Sequence, residues 1–209
     1  MTDYQALKAK MQQLVDRNWD VPAIEARCKE LSSRGIIRKV LDRNRILENK
    51  EQILSRVRLR AEEYNYFAGN CARSTALAVM EEFGLGSMEL VKSLSPFPGF
   101  GGTGWMCGAL TGGLITLGLY MGSDDLQDHE AVGETMKAGR EFMTWFENEA
   151  GAVTCRKIHE DVVFGRYMDP AASPENMKAF ADARGFEKCS LFAGIGARLA
   201  AEFIIERII

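Results

Sequence analysis

The sequence contains no pair of cysteines separated by two residues, and it has only two histidines. The missing CxxC pair excludes zinc-ribbon and thioredoxin motifs, and the missing CxxCH excludes covalent attachment of a c-type haem. No segment alternates apolar and polar residues as a half-buried strand does, and no internal repeat or low-complexity tract is present. The net charge of −3 gives no argument for binding to nucleic acid. What remains is a helical chain with isolated cysteines.

Charge is also missing from one long stretch, because positions 93–123 contain no Asp, Glu, Lys or Arg. Its apolar part, Trp105–Gly122, is at the lower limit of the roughly 20 residues that span a bilayer, and glycine weakens an isolated helix. We therefore predict a buried central helix and no membrane span. Glycines recur at four-residue spacing at positions 104, 108 and 112, so another helix can approach that face closely.

The same stretch contains a literal GxGxxG, from Gly99 to Gly104. A dinucleotide-binding site requires a strand before this turn and a βαβ unit around it. Here Pro96 and Pro98 precede the turn, and no strand-like run does. The pattern therefore indicates a tight turn that leads into a helix.

The chain has five cysteines and opens without a basic segment followed by an apolar run. No secretory signal is therefore expected, and we predict a cytoplasmic protein, in which thiols stay reduced. In that compartment, isolated cysteines favour metal binding or redox chemistry over a frame of structural disulfides.

Apolar periodicity predicts an all-α fold, a helical bundle with the glycine-rich helix buried at its centre. Predicted helices lie near 2–18, 22–33, 36–67, 71–83, 87–94, 105–122, 129–149, 155–163, 174–184 and 187–208. Residues 1–67 are interpreted as an N-terminal helical extension used in packing or dimerisation, and 68–209 as the main domain. Eleven Lys or Arg residues lie between Arg27 and Arg60. A solvated helix face is favoured for them over a basic docking surface.

Four cysteines share one property: each lies in the first turn or two of a predicted helix. They are Cys71, Cys107, Cys155 and Cys189. A helix N-terminus lowers the pKa of a thiol and favours the thiolate, which is the form that binds metal and reacts. Four thiolates brought together would suit zinc or an iron–sulfur cluster. Free cysteine is also commonly buried for packing alone, so an inert role stays open.

The segment Asn70-Cys71-Ala72, the motif CGAxxG from Cys107 to Gly112 and the later isolated Cys155 and Cys189 resemble the C_GCAxxG_C_C family. The resemblance extends from about Gly69 to the C-terminus. It implies a helical, redox-active protein whose four cysteines form the functional site. The family is distantly similar to split-Soret cytochrome c, but the haem-attachment motif of that protein is missing here. Cys28 lies outside the pattern and is interpreted as a packing or bystander thiol.

Four further residues are candidates for contacts around these sulfurs. His159 follows Cys155 by four residues on the same helix face, so it is placed to bind a metal or donate a hydrogen bond to a sulfur. A purely structural histidine is the alternative. In the glycine-rich turn and helix, Gly101, Gly102 and Gly108 are expected to bring backbone N–H groups close to the sulfurs.

The leading hypothesis is a redox-active protein that binds an iron–sulfur cluster, with [2Fe–2S] favoured, in electron transfer or redox sensing. Zinc, or no metal at all, is the alternative for the cofactor. Without metal, the chain is either a thiol–disulfide redox protein or a structural helical adaptor with inert buried thiols. Whether it is an enzyme is left open. The expected partners are a second copy in a homodimer and a redox partner protein, with no nucleic acid.

Overall fold

The computed structural model describes residues 2–208, and the fold is all-α as predicted. The helices are α1 (Tyr4–Val15), α2 (Val21–Arg34), α3 (Arg43–Glu48), α4 (Lys50–Ala68), α5 (Cys71–Phe83), α6 (Met88–Ser93), α7 (Gly99–Gly102), α8 (Gly108–Met121), α9 (His129–Ala150), α10 (Cys155–Lys157), α11 (Pro174–Asp182) and α12 (Gly185–Glu206). A π-helical segment, Ile158–Val163, continues α10. Residues 2–208 contain no strand, only one isolated antiparallel bridge between Met106 and Thr154.

Short polar residues begin several helices. The side chains of Asp20, Asn70, Asp128 and Ser173 each accept a hydrogen bond from an amide in the first turn that follows. These bonds satisfy amides that have no partner within the helix. At the other end of α5, Gly84 takes the left-handed conformation (φ 66°) and its N–H bonds the Met80 carbonyl. The predicted start and end of this helix are confirmed.

Two helices form the centre of the molecule. The predicted central helix, α8, is buried through most of its first ten residues, whereas α12 is buried along nearly its whole length. α12 packs against α4, α8, α5, α1 and α9. The N-terminal segment therefore shares one hydrophobic core with the rest of the chain.

Glycines on α8 allow the close helix contact that the sequence predicted. A Cβ atom at Gly112 would lie 2.4 Å from the Ala72 carbonyl oxygen, and one at Gly108 would lie 2.5 Å from the Cys71 sulfur. Both contacts are with the start of α5. Gly104, by contrast, lies in the turn before the helix, with φ 83°.

The predicted helix over 36–67 is wrong in its first part. Residues 35–42 are not helical, and α3 and α4 follow separately. The segment runs across the C-terminal end of α5, where a Cβ at Gly84 would lie 2.4 Å from the Lys39 nitrogen. The Lys39 ammonium donates to the carbonyls of Glu81 and Glu82, which have no helical partner. This tertiary contact overrides the helical periodicity.

Several basic residues of the N-terminal segment form ion pairs while their side chains stay partly exposed. The carboxylate of Glu62, only 1% exposed, pairs with both Arg17 and Arg58. Arg56 and Arg60 on α4 pair with Glu82 on α5. These pairs join the predicted extension to the core. Among residues 2–208, no helix is long and apolar enough to cross a membrane.

Candidate functional site

The four predicted cysteines come from four different elements and line one cavity. Cys71 is the first residue of α5, Cys107 immediately precedes α8, and Cys155 is the first residue of α10. Cys189 lies in the second turn of α12. All four are free thiols, and Cys107 is the most buried of them at 5% exposure.

The thiols of Cys71 and Cys107 lie close to each other. Their contact and burial raise the pKa of Cys71 well above its ordinary value. The pKa of Cys107 is lowered, because it accepts the hydrogen bond from Cys71 and because the amides of Ala109 and Leu110 at the start of α8 lie close to its sulfur. Cys107 is therefore the more acidic thiol and Cys71 the proton donor of the pair.

Cys155 and Cys189 are linked through His159. The Nε2 atom of its imidazole lies 3.7 Å from the Cys155 sulfur and 3.6 Å from the Cys189 sulfur. Burial raises the pKa of Cys189 to about 12 and moves that of Cys155 upward as well. The site thus contains two pairs of neighbouring cysteines, Cys71 with Cys107 and Cys155 with Cys189. The pairs lie close enough together for Cys107 to add to burial in raising the pKa of Cys155.

The tautomer of His159 follows from its other contact. The Met168 backbone N–H donates to Nδ1 at 3.4 Å, so Nδ1 is an acceptor and the ring proton lies on Nε2. Burial lowers the pKa of His159 to about 4, which keeps the imidazole neutral at physiological pH. A neutral ring with its proton on Nε2 donates a hydrogen bond toward the two sulfurs.

The glycine-rich turn joins the two cysteine pairs. Its residues from Gly99 to Gly104 mostly have positive φ, including Phe100 at 51°. The Cys155 N–H donates to the Trp105 carbonyl at 2.6 Å, and the Cys107 N–H donates to the Val153 carbonyl at 2.9 Å. These two bonds place Cys107 beside the start of α10.

The amides of the turn are not directed at the sulfurs. The Gly101 N–H donates to the Pro96 carbonyl and the Gly102 N–H to the Pro98 carbonyl, so both are used within the turn. The two glycines line the cavity. A Cβ atom at Gly99 would lie 3.5 Å from the Cys155 sulfur. Gly108 contributes by its lack of a side chain, which leaves room for the Cys71 sulfur.

The cavity has a volume of about 370 Å³. Beyond the cysteines it is lined by residues that the sequence analysis did not single out, chiefly Tyr167, Met168, Asp169, Met177, Phe180 and Phe186. These come from the loop after the π-helical segment and from α11 and α12. No pattern in the sequence marks these residues as a group.

Within residues 2–208, no three His, Cys, Asp or Glu side chains are grouped so that they could hold a metal ion. Cys28 does not line the four-cysteine cavity and lies in a separate surface depression with Glu25 and Phe67. Burial raises the pKa of its thiol. Cys28 is thus not one of the clustered cysteines.

The chain is thus an all-α protein in which four cysteines from four elements line one cavity. Residues 69–203 match the family described as "Putative redox-active protein (C_GCAxxG_C_C)". The chain belongs to this C_GCAxxG_C_C family, as its cysteine motif predicted. No curated protein and no solved structure matches the chain.

Proposed function

We propose that this redox-active protein carries electrons through an iron–sulfur cluster bound by Cys71, Cys107, Cys155 and Cys189, with [2Fe–2S] favoured. The observation that supports it is the convergence of these four cysteines, and not Cys28, on one cavity. The cluster, when bound, supplies one-electron transfer. The chain supplies the thiolates, the enclosure and the hydrogen bonds around them.

The donor set fits a cluster better than a single ion. In a tetrahedral zinc site with Zn–S distances near 2.3 Å, the sulfurs lie about 3.8 Å from one another. No three metal-binding side chains are grouped in that way among residues 2–208, and the four cysteines line a cavity of about 370 Å³. A [2Fe–2S] cluster needs such close spacing only between the two thiolates on the same iron, and soft thiolates are the ligands that iron–sulfur clusters take. The zinc alternative is therefore less favoured.

The surroundings of the sulfurs suit a redox centre. The Nε2–H of His159 is directed at two of the four sulfurs, and the amides of Ala109 and Leu110 are near a third. Hydrogen bonds to ligating sulfurs raise the reduction potential of a cluster. We therefore assign His159 as a positioning residue next to the sulfurs and not as a metal ligand.

The test is anaerobic purification of the full chain, followed by visible absorption and by iron and acid-labile sulfide analysis. We expect a coloured protein with near-equal iron and sulfide. Replacement of any one of the four cysteines by serine should lower both contents, whereas Cys28→Ser should leave them unchanged. A colourless protein with neither iron nor sulfide after anaerobic reconstitution would refute the proposal.

A second candidate is supported by the closeness of Cys71 and Cys107, each of which shifts the pKa of the other. In it, the Cys107 thiolate attacks a partner disulfide, and Cys71 then displaces the partner thiol. The chain gains an S–S bond and loses two protons and two electrons, and the partner disulfide is reduced to two thiols. Mass mapping after oxidation with glutathione disulfide should then find Cys71 linked to Cys107. Thiols that stay unchanged in a metal-free protein would leave only the structural adaptor.

The homodimer and the redox partner protein stay predictions. Ile37, Val40 and Leu47 on the N-terminal segment are exposed apolar residues, with Val40 fully exposed. These side chains are consistent with a homodimer interface on the N-terminal segment. Sedimentation of the full chain tests this, because it measures the mass in solution.

A further inference from the structure

The cavity is larger than the space between the four sulfurs. Its volume of about 370 Å³ lies in the range of cavities that bind small organic molecules, about 300–1,000 Å³. One side is formed by the cysteines and His159. Much of the rest is apolar, with Phe180 and Phe186 in edge-to-face contact, ring centroids 5.1 Å apart, and Met177 close to them in the lining.

Apart from the thiols, Asp169 is the only charged side chain in the lining among the described residues. Its Oδ1 atom accepts a hydrogen bond from the Ala171 N–H at 2.9 Å. Its Oδ2 atom lies beside Gly102, where a built Cβ would be 2.8 Å away, and accepts no hydrogen bond within residues 2–208. One carboxylate oxygen is therefore available to a donor in the cavity.

The nearby cations do not neutralise this carboxylate. The Arg156 guanidinium lies 4.4 Å from the centroid of the Tyr167 ring and pairs with Glu160. The Lys188 ammonium lies over the Phe164 ring. Neither residue lines the cavity. The cavity thus presents negative charge and aromatic rings, which together favour cations and disfavour anions.

We propose that this cavity binds a small organic amine, with its ammonium group on Asp169 Oδ2 and its apolar body against Phe180 and Phe186. The amine shares the cavity with the sulfurs, because Asp169, Phe180, Phe186 and the four cysteines all line it. The inference rests on the proposed function only because the same cysteines form one wall of the cavity. Binding of the amine to Asp169 needs no cluster. It identifies the compound class that reaches the redox site.

Calorimetric titration of the full chain with three probes of one shape tests this. Benzylamine is a cation at pH 7, benzyl alcohol is neutral and benzoate is an anion. We expect benzylamine to bind most tightly, benzyl alcohol more weakly, and benzoate not measurably. Asp169→Asn keeps the acceptor for the Ala171 N–H and should weaken benzylamine about tenfold, because a charge-assisted hydrogen bond is lost. Its effect on benzyl alcohol should be small.

The matched control is Asp182→Asn, which makes the same charge change on an exposed residue of α11 outside the cavity. It should leave all three affinities unchanged. Benzoate binding as well as benzylamine, or no saturable binding of any probe to the wild-type chain, would overturn the inference without any variant. Iron and sulfide measured on the same samples separate this outcome from failure of the proposed cluster, since amine binding is expected with or without iron.

Discussion

At the scale of single residues, the space around each sulfur matters as much as the sulfur itself. Gly108 lies against Cys71, and its missing side chain is what allows α8 and α5 to bring Cys71 and Cys107 into contact. His159 has one nitrogen fixed by the Met168 amide, so the other is left as a donor for Cys155 and Cys189. Both residues therefore shape the surroundings of the cysteines.

Gly108→Ala tests the role of this space. The added Cβ would lie 2.5 Å from the Cys71 sulfur, so we expect a loss of about 1–3 kcal/mol in unfolding free energy and displacement of Cys71 from Cys107. Chemical denaturation measures the first, and bound iron the second. The control on the same helix is Gly118→Ala, where a Cβ meets nothing within 4 Å. This substitution should raise the unfolding free energy by up to about 1 kcal/mol. Equal effects of the two substitutions would contradict the packing argument.

His159→Phe tests the donor. Phenylalanine keeps an aromatic ring beside Tyr167 and Phe164 but cannot donate to the sulfurs. Because hydrogen bonds to cluster sulfurs raise the reduction potential, we expect a more negative potential in redox titration with the iron content retained. His159→Gln retains an N–H donor and should partly restore the potential. An unchanged potential in both variants would assign His159 a packing role only.

At the scale of helices, ion pairs fix α4 to α5. Burial opposes ionisation of Glu82, but hydrogen bonds from the Arg56 guanidinium outweigh burial and lower the pKa of Glu82. Lys39 adds a second link by bonding the last carbonyls of α5. The Lys39 contact explains why residues 35–42 do not continue the predicted helix.

The ion pair of Glu82 with Arg56 predicts the direction in which stability changes with pH. Its folded pKa is below the ordinary 4.5, so its contribution is fully present above about pH 4.5 and is lost as the pH falls through the folded pKa. Glu82→Gln should therefore cost about 1–2 kcal/mol at pH 7, and the difference from wild type should shrink below pH 4.5. Denaturation over pH 3–7 measures this.

The control for that series is Asp182→Asn, which removes the exposed pair with Lys178. It should change stability by less than about 0.5 kcal/mol at every pH. A Glu82→Gln effect that stays constant from pH 7 to pH 3 would contradict an ionised Glu82 in the folded state.

Helix positions and helix types were largely predictable from the sequence, and the local irregularities were not. The bounds of α5 and α9 follow from capping residues and apolar spacing. The segment 35–42 depends on a contact with Gly84, and the π-helical turn at Ile158–Val163 depends on a bond from the Phe164 N–H to the His159 carbonyl. The local spacing of apolar residues indicates neither of these irregularities.

The site was predictable only as far as its motif extends. The four cysteines carry the family motif, so their convergence could be expected from the resemblance. The rest of the cavity wall, with Asp169 and Phe186, comes from segments that are brought together by tertiary packing. The spare acceptor on Asp169 has no signature in the sequence, because an aspartate before a proline is ordinary loop composition.

At the scale of the whole molecule, one core contains both the N-terminal helices and the family segment. α4 packs against α12 more extensively than any other pair of helices, and Val57 and Ala61 of α4 are fully buried. α12 carries Cys189, so the packing of α4 indirectly supports the site. The predicted division at residue 67 marks where the motif begins.

Truncation tests whether that boundary is also a folding boundary. A chain that begins at Gly69 lacks α1–α4 and exposes the apolar face of α12, so we expect loss of cooperative unfolding and of near-ultraviolet circular dichroism. A chain that begins at Lys50 keeps α4 and should unfold cooperatively with reduced stability. Cooperative unfolding of the shorter chain at full-length stability would show an independent domain over 68–209.

The central claim is that four cysteines from four elements bind one shared group. The mass of the intact chain, sprayed from non-denaturing buffer without oxygen, tests it most directly. We predict an added mass equal to iron plus sulfide, absent after serine replacement of Cys71, Cys107, Cys155 or Cys189 and retained in Cys28→Ser. The bare mass of the wild-type chain after reconstitution, or an adduct that survives all four replacements, would contradict the claim.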